Sequence, residues 1–199
     1  MFWCIIDGMG YPNWFKLAAV NYFNLVLPKR FAGKPLIDFL QIGAYTGDAS
    51  QWMLDNILTD PTSSLTDLDT WSGSEEEAHK QFDWQQLEHF YDKRMSYYSN
   101  VIKVKQSSWD FLKNAGDKQY DFIYIDGDHT ADGVYKDAIL SWPLLKPYGI
   151  MAFDDYQWHH ESGEEELCPK SGINKFLYEH SEEYRLLVMD EQVWISKNG

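Results

Sequence analysis

In the segment YDFIYIDGDH, Asp126, Asp128 and His129 directly follow a buried-looking apolar run, and in GIMAFDDY, Asp154 and Asp155 follow a second one. If the two runs are neighbouring strands, their ends converge. Several carboxylates close together repel one another, and at least one has its pKa raised. A divalent cation removes that penalty, and hard cations such as Mg²⁺ or Mn²⁺ take oxygen ligands. Asp126, Asp154 and Asp155 are therefore the expected metal set. The alternative is that one or two of them cap helices or accept backbone N–H groups. His129 is the candidate general base, because an unperturbed imidazole changes charge near neutral pH, or else a structural histidine. His159 and His160 lie on the loop that follows and are alternative bases or solvated side chains.

Three other strand ends carry polar chemistry. FLQIGAYTGDAS brackets a strand-to-helix turn with Gly43 and Gly47. Glycine tolerates positive φ and lets a ligand approach the backbone. The spacing is G-x-x-x-G, not the G-x-G-x-x-G of dinucleotide folds, which disfavours a nicotinamide oxidoreductase. Asp69 ends SLTDLD and can accept both hydroxyls of a ribose; a cap or solvated turn is the alternative. Ser107 and Ser108 end KVKQSS, where they either edge an adenine or cap the next helix.

The elements that must position these residues follow from periodicity. Helical spacing predicts a helix from Asn13 to Leu27 stopped by Pro28, and others at Asp48–Leu58, over 74–98, at Ala131–Trp142 and at Ile173–His180. Strands are expected at Leu36–Ile42, Ser64–Asp69, Val101–Lys105, Phe122–Ile125 and Ile150–Phe153. Arg185–Met189 and Gln192–Ser196 flank Asp190-Glu191 as a hairpin. Alternation of strand and helix predicts an α/β, Rossmann-like doubly wound sheet, mostly parallel, with a C-terminal antiparallel hairpin. Ligands of such sheets bind outside the carboxyl ends of the strands. The chain is expected to be one domain over residues 1–199, with helix 13–27 on the core and the segments 71–98 and 156–172 as lid and acceptor regions.

Composition narrows the partners. The 199 residues carry 17 basic and 31 acidic side chains, a formal charge of −14. Nucleic acids and anionic membranes need a basic face and are expected to be poor partners. No apolar run reaches the about 18 residues of a membrane span. The start, MFWCIIDGMG, lacks a basic region and is broken by Asp7, which argues against a signal peptide. Two cysteines, Cys4 and Cys168, form no disulfide framework, so a reducing, cytoplasmic compartment is the expectation. Aromatic residues make up 17%, more than a core alone requires. Trp84, Tyr91 and Trp158 can stack on a sugar ring or belong to the core, and Glu164–Glu166 is a solvated run.

QIGAYTG, LTDLDTWSG, the stretch from YDFIYIDGDH to FDDY and the closing hairpin together resemble class I S-adenosylmethionine-dependent methyltransferases. The IDGDH and DDY turns are similar to those of macrocin-type, metal-dependent sugar O-methyltransferases and of compact domains in algal viruses and bacteria. The resemblance runs from about Trp14 onward. It implies that Gly43, Ala44, Tyr45 and Gly47 surround the methionine part of S-adenosyl-L-methionine. Asp69 would hold the ribose with Trp71 nearby, Ser107 and Ser108 would edge the adenine, and Asp126, Asp154 and Asp155 would hold a metal. Asp126 would also touch the cofactor. Gln41 stands where the family has an acidic residue that positions the methionine amine, so the charge is lost. Pro147-Tyr148-Gly149 replaces the usual Pro-Gly-Gly.

The expected activity is methyl transfer to a hydroxyl, of a sugar or glycan or of a catechol-like acceptor. The cation would act as Lewis acid, and His129 with Asp126 would form the catalytic pair. A viral chain would act in the host cytoplasm. The alternative is a metal-dependent glycosyltransferase reading Asp126-Gly127-Asp128 as D-x-D, which leaves the Gly43 turn and the hairpin without a role. A non-catalytic binding domain on the same fold is a further alternative.

Overall fold

The computed structural model describes residues 10–74, 79–160, 162–164 and 167–199. Cys4, Asp7, Glu165, Glu166 and parts of segments 71–98 and 156–172 lie outside these residues. The chain divides into two compact units. One comprises Met1–Ile37, Ala44–Leu65 and Trp71–Ile102; the other comprises Asp38–Gly43, Thr66–Thr70 and Lys103–Gly199.

In the first unit a π-helical turn, Phe15–Ala19, leads into α1 (Val20–Phe31). Pro28 does not stop this helix but sits inside it. An internal proline costs about 3 kcal/mol. Phe23, Leu27 and Phe31, spaced four apart, are all buried, and each contributes about 1.5–3 kcal/mol. That sum outweighs the proline, so the helix runs on. α2 (Asp48–Asn56) starts after Gly47. α3 (Trp84–Met95) is capped by Asp83, whose carboxylate accepts from the Gln86 N–H at 3.0 Å. Among the described residues, the helix expected over 74–98 is confined to Trp84–Met95, with a 3-10 turn at His79–Gln81 before it.

The strands are β1 (Asp38–Ile42), β2 (Ser64–Asp69), β3 (Val101–Lys105), β4 (Tyr120–Ile125), β5 (Leu145–Phe153), β6 (Tyr184–Met189) and β7 (Val193–Lys197). They form one seven-stranded sheet in the order β3-β2-β1-β4-β5-β7-β6. In the second unit β1, β4 and β5 run parallel, while β7 is antiparallel to both β5 and β6. This is the expected doubly wound sheet with its closing hairpin, the class I methyltransferase fold.

α4 (Ser108–Lys113), α5 (Ala131–Ser141) and α6 (Pro169–Glu179) complete this unit. Leu40, Ile123, Phe153, Val134, Ile173 and Phe176 belong to one buried cluster. α5 and α6 pack so closely that a Cβ on Gly172 would lie 2.0 Å from the Ala131 carbonyl oxygen. A separate aromatic stack joins Phe39 to Phe122 at 5.0 Å and Phe122 to Trp194 at 5.4 Å.

Candidate active site

Register brings the acidic turns together. Ile42 pairs with Ile125, and Ile125 with Phe153, so β1, β4 and β5 end level. Gly43, Asp126 and Asp154 then follow side by side. The Asp126 N–H donates to the Ile42 carbonyl at 2.9 Å, and the Asp154 N–H to the Ile125 carbonyl at 3.0 Å. Gly43 has φ +88°, and a Cβ there would lie 1.8 Å from the Asp126 carbonyl oxygen. Only glycine allows the two turns to approach this closely.

Beyond Asp126, His129 turns back so that Nε2 lies 3.7 Å from an Asp126 oxygen and 3.1 Å from an Asp155 oxygen. One ligand atom from each of Asp126, His129 and Asp155 falls within 4.8 Å of the others. Partial burial, together with the Asp154 and Asp155 carboxylates, pushes the Asp126 carboxyl well above its usual range, and His129 pulls in the opposite direction. Trp158 lies beside the histidine, with ring centroids 5.4 Å apart.

Asp154, the middle member of the expected metal set, is engaged elsewhere. One of its oxygens accepts from the Tyr124 hydroxyl. The other accepts from Gln192 Nε2 at 2.8 Å and from the Asp155 N–H at 2.9 Å. The histidine comes with Asp126 and Asp155 in its stead. Its Nδ1 is buried and its Nε2 lies between the Asp126 and Asp155 carboxylates. Asp128 accepts from the Thr130 N–H at 2.8 Å and shapes the start of α5.

The residues expected around the cofactor divide between the units. In the second unit, Gln41 is buried and its amide donates to the Gly43 carbonyl at 2.9 Å, bracing the glycine turn. Asp69 is half-buried at the end of β2. Ser107 is the N-cap of α4, accepting from the Asp110 N–H. Ser108 donates to Asp137 at 2.6 Å. Asp137 is 1% exposed, and burial raises its carboxyl to about 7, with Asp128 adding to the rise and the Ser108 hydroxyl and the nearby Trp109 indole opposing it.

In the first unit, Ala44 is buried, Gly47 has φ +80° and Tyr45 packs on Trp14 at 4.8 Å. Trp71 is buried, donates from Nε1 to the Tyr45 carbonyl at 3.0 Å and packs on the buried Tyr91. Tyr91 and Trp71 are therefore core, while Trp84 is half-buried with its indole N–H on the His79 carbonyl. Asp48, the first residue of α2, accepts from Arg94 at 2.6 Å, Asn13 at 2.8 Å and Thr46 at 2.6 Å. Arg94 also donates to the Thr46 carbonyl at 3.0 Å. His160 pairs with Ser162, and His159 is exposed.

Asn13, Arg94, Asp137, Tyr124 and Gln192 were not marked as functional by sequence reasoning. None carried a local signal, because each acts through a partner distant in the chain.

Comparison with known proteins agrees with this architecture. A family model described as "Methyltransferase domain" matches residues 40–156, more than half of the chain, and the chain belongs to that family. The solved O-methyltransferase TomG from Streptomyces achromogenes, involved in tomaymycin synthesis and in complex with SAM, superposes with a TM-score of 0.63 at 13% identity, covering 89% of this chain and 78% of that one. An O-methyltransferase from Bacillus cereus in complex with SAH gives 0.59 at 15% identity, covering 81% and 74%. The N-methyltransferase NodS from Bradyrhizobium japonicum gives 0.61 at 12% identity, covering 94% and 98%. Comparison with curated proteins gives no match. Family and fold together define an S-adenosylmethionine-dependent methyltransferase of class I. No described helix is long and apolar enough to cross a membrane.

Proposed function

We propose that the chain methylates a hydroxyl of a small-molecule acceptor, a sugar or similar polyol, with the help of a divalent cation held by Asp126, His129 and Asp155. The convergence of those three side chains at the level ends of β4 and β5 carries the reading. The donor set fits Mg²⁺ or Mn²⁺: two carboxylates and one imidazole, with Asp154 and Asp155 crowding the Asp126 carboxyl and raising it. The cation would supply Lewis-acid polarisation of the acceptor oxygen. S-adenosylmethionine would supply the activated methyl group.

The chain's own residues bind and orient. Gly43 keeps the backbone of the first turn against Asp126, and Gln41 holds the Gly43 carbonyl. Asp69 is proposed to accept the ribose hydroxyls, and Ser107 and Ser108 to border the adenine. Ala44, Tyr45, Gly47 and Trp71 are proposed to form or back the remaining cofactor contacts. Trp158, beside His129, offers an apolar face for a sugar ring. In-line placement of acceptor oxygen against methyl group supplies much of the acceleration. The excess of acidic residues supports an uncharged acceptor over nucleic acid. The D-x-D reading finds little support, because Asp128 is spent on the Thr130 N–H.

The test is calorimetry with S-adenosylhomocysteine, followed by methyl transfer to a panel of glycosides and catechols with and without EDTA. Binding in the micromolar range, lost on Asp69→Ala, and an EDTA-sensitive turnover restored by Mn²⁺ are expected. Unchanged turnover after chelation refutes the cation.

A further inference from the structure

Asp154 was expected to bind metal, yet the structure gives it three donors from the protein itself. The donors form a chain. Trp194 Nε1 donates to Gln192 Oε1 at 2.8 Å, and Gln192 Nε2 donates to Asp154 at 2.8 Å. Tyr124 donates to the other Asp154 oxygen. Trp194, Gln192 and Tyr124 are each at most 1% exposed, and buried polar groups so linked hold a single arrangement. A backbone bond from the Tyr156 N–H to the Glu191 carbonyl, 2.9 Å, ties the same hairpin turn to the residues after Asp155.

What this network fixes is Asp155. Its N–H donates to Asp154, and its φ is +54°, a conformation that a non-glycine residue adopts at a cost of about 1 kcal/mol or more unless its surroundings impose it. In that conformation its carboxylate reaches His129 Nε2 at 3.1 Å. We infer that Asp154 and Gln192 are positioning residues: the closing hairpin clamps Asp154, and Asp154 holds Asp155 in the left-handed turn that completes the cation site. This rests on the cation reading proposed above. Groups that orient a ligand from behind change metal affinity by about 10- to 100-fold when removed.

Two variants separate a positioning residue from a ligand. Asp154→Asn keeps an oxygen to accept from Gln192 and from the Asp155 N–H, and its amide can donate to the Tyr124 oxygen. Gln192→Met keeps the volume and loses the side-chain hydrogen bonds to Asp154, to Trp194 and to the Tyr124 hydroxyl. Mn²⁺ titration of the full chain by calorimetry is expected to show binding retained in Asp154→Asn, weaker by about tenfold through the loss of one neighbouring charge. Affinity is expected to fall about 10- to 100-fold for Gln192→Met, with S-adenosylhomocysteine affinity unchanged. Loss of Mn²⁺ binding in Asp154→Asn would make Asp154 a ligand and overturn the inference. So would a Gln192→Met chain that melts lower yet binds Mn²⁺ as wild type does. A wild-type chain that binds S-adenosylhomocysteine but not Mn²⁺ overturns the cation reading itself, a result distinct from the other two.

Discussion

Asp48 and Asp126 both sit where a strand or turn gives way to a helix, and they are treated in opposite ways. Asp48 is met by Arg94, Asn13 and Thr46. Its charge is matched, and the result is a pinned loop. Asp126 faces Asp154 and Asp155, with one imidazole nearby, and its carboxyl is pushed well above its usual range. Matched charge builds structure, whereas charge left unmatched at a strand end is costly to folding and is retained where it binds or reacts.

The contrast can be broken by experiment. Asp126→Asn should lower methyl transfer by about 100-fold or more, while removal of the repulsion leaves the melting temperature equal or higher. If the variant instead melts lower, Asp126 is structural and the contrast fails. Arg94→Met should do the reverse. It strips a mostly buried carboxylate of its cation, which costs about 3 kcal/mol in denaturant unfolding, and an unaltered midpoint would show that Asn13 and Thr46 suffice.

Asp137 sharpens the comparison, being a buried carboxyl with one hydroxyl donor at hydrogen-bonding distance. Its folded value of about 7 lies above the ordinary 3.8. The folded chain therefore holds that proton more tightly. The stabilisation is complete below about pH 4 and is lost as pH rises to about 7. Asp137→Asn should gain stability relative to wild type across that window, by about 4 kcal/mol at pH 8, read as the difference between the two unfolding midpoints at each pH. A difference that does not change with pH removes Asp137 from the class of unmatched charges.

Much of this was legible in the sequence because it is local. Ser64–Asp69 and Val101–Lys105 appear as strands with the bounds expected from their patterning. Asp126, His129 and Asp155 stood out because each follows an apolar run, and parallel register does the rest. What was not legible depends on contacts between distant positions. Gln192 meets Asp154 across 38 residues and Arg94 meets Asp48 across 46, and neither pairing leaves a local trace. Asp154 and Asp155 look equivalent as letters. Only the left-handed turn between them sends one inward to Tyr124 and the other outward to His129. Pro28 misled for a related reason, since the burial that carries α1 past it is tertiary.

The hairpin has a consequence for biosynthesis. Gln192 and Trp194 leave the ribosome after every residue they steady, so a nascent chain already holding Asp126 and Asp155 has no clamp on the DDY turn. Until the last two strands pair, that corner is a loose set of mutually repelling acids. On the proposed cation reading, the site is completed only when β7 docks on β5, rather than accumulating as the sheet grows.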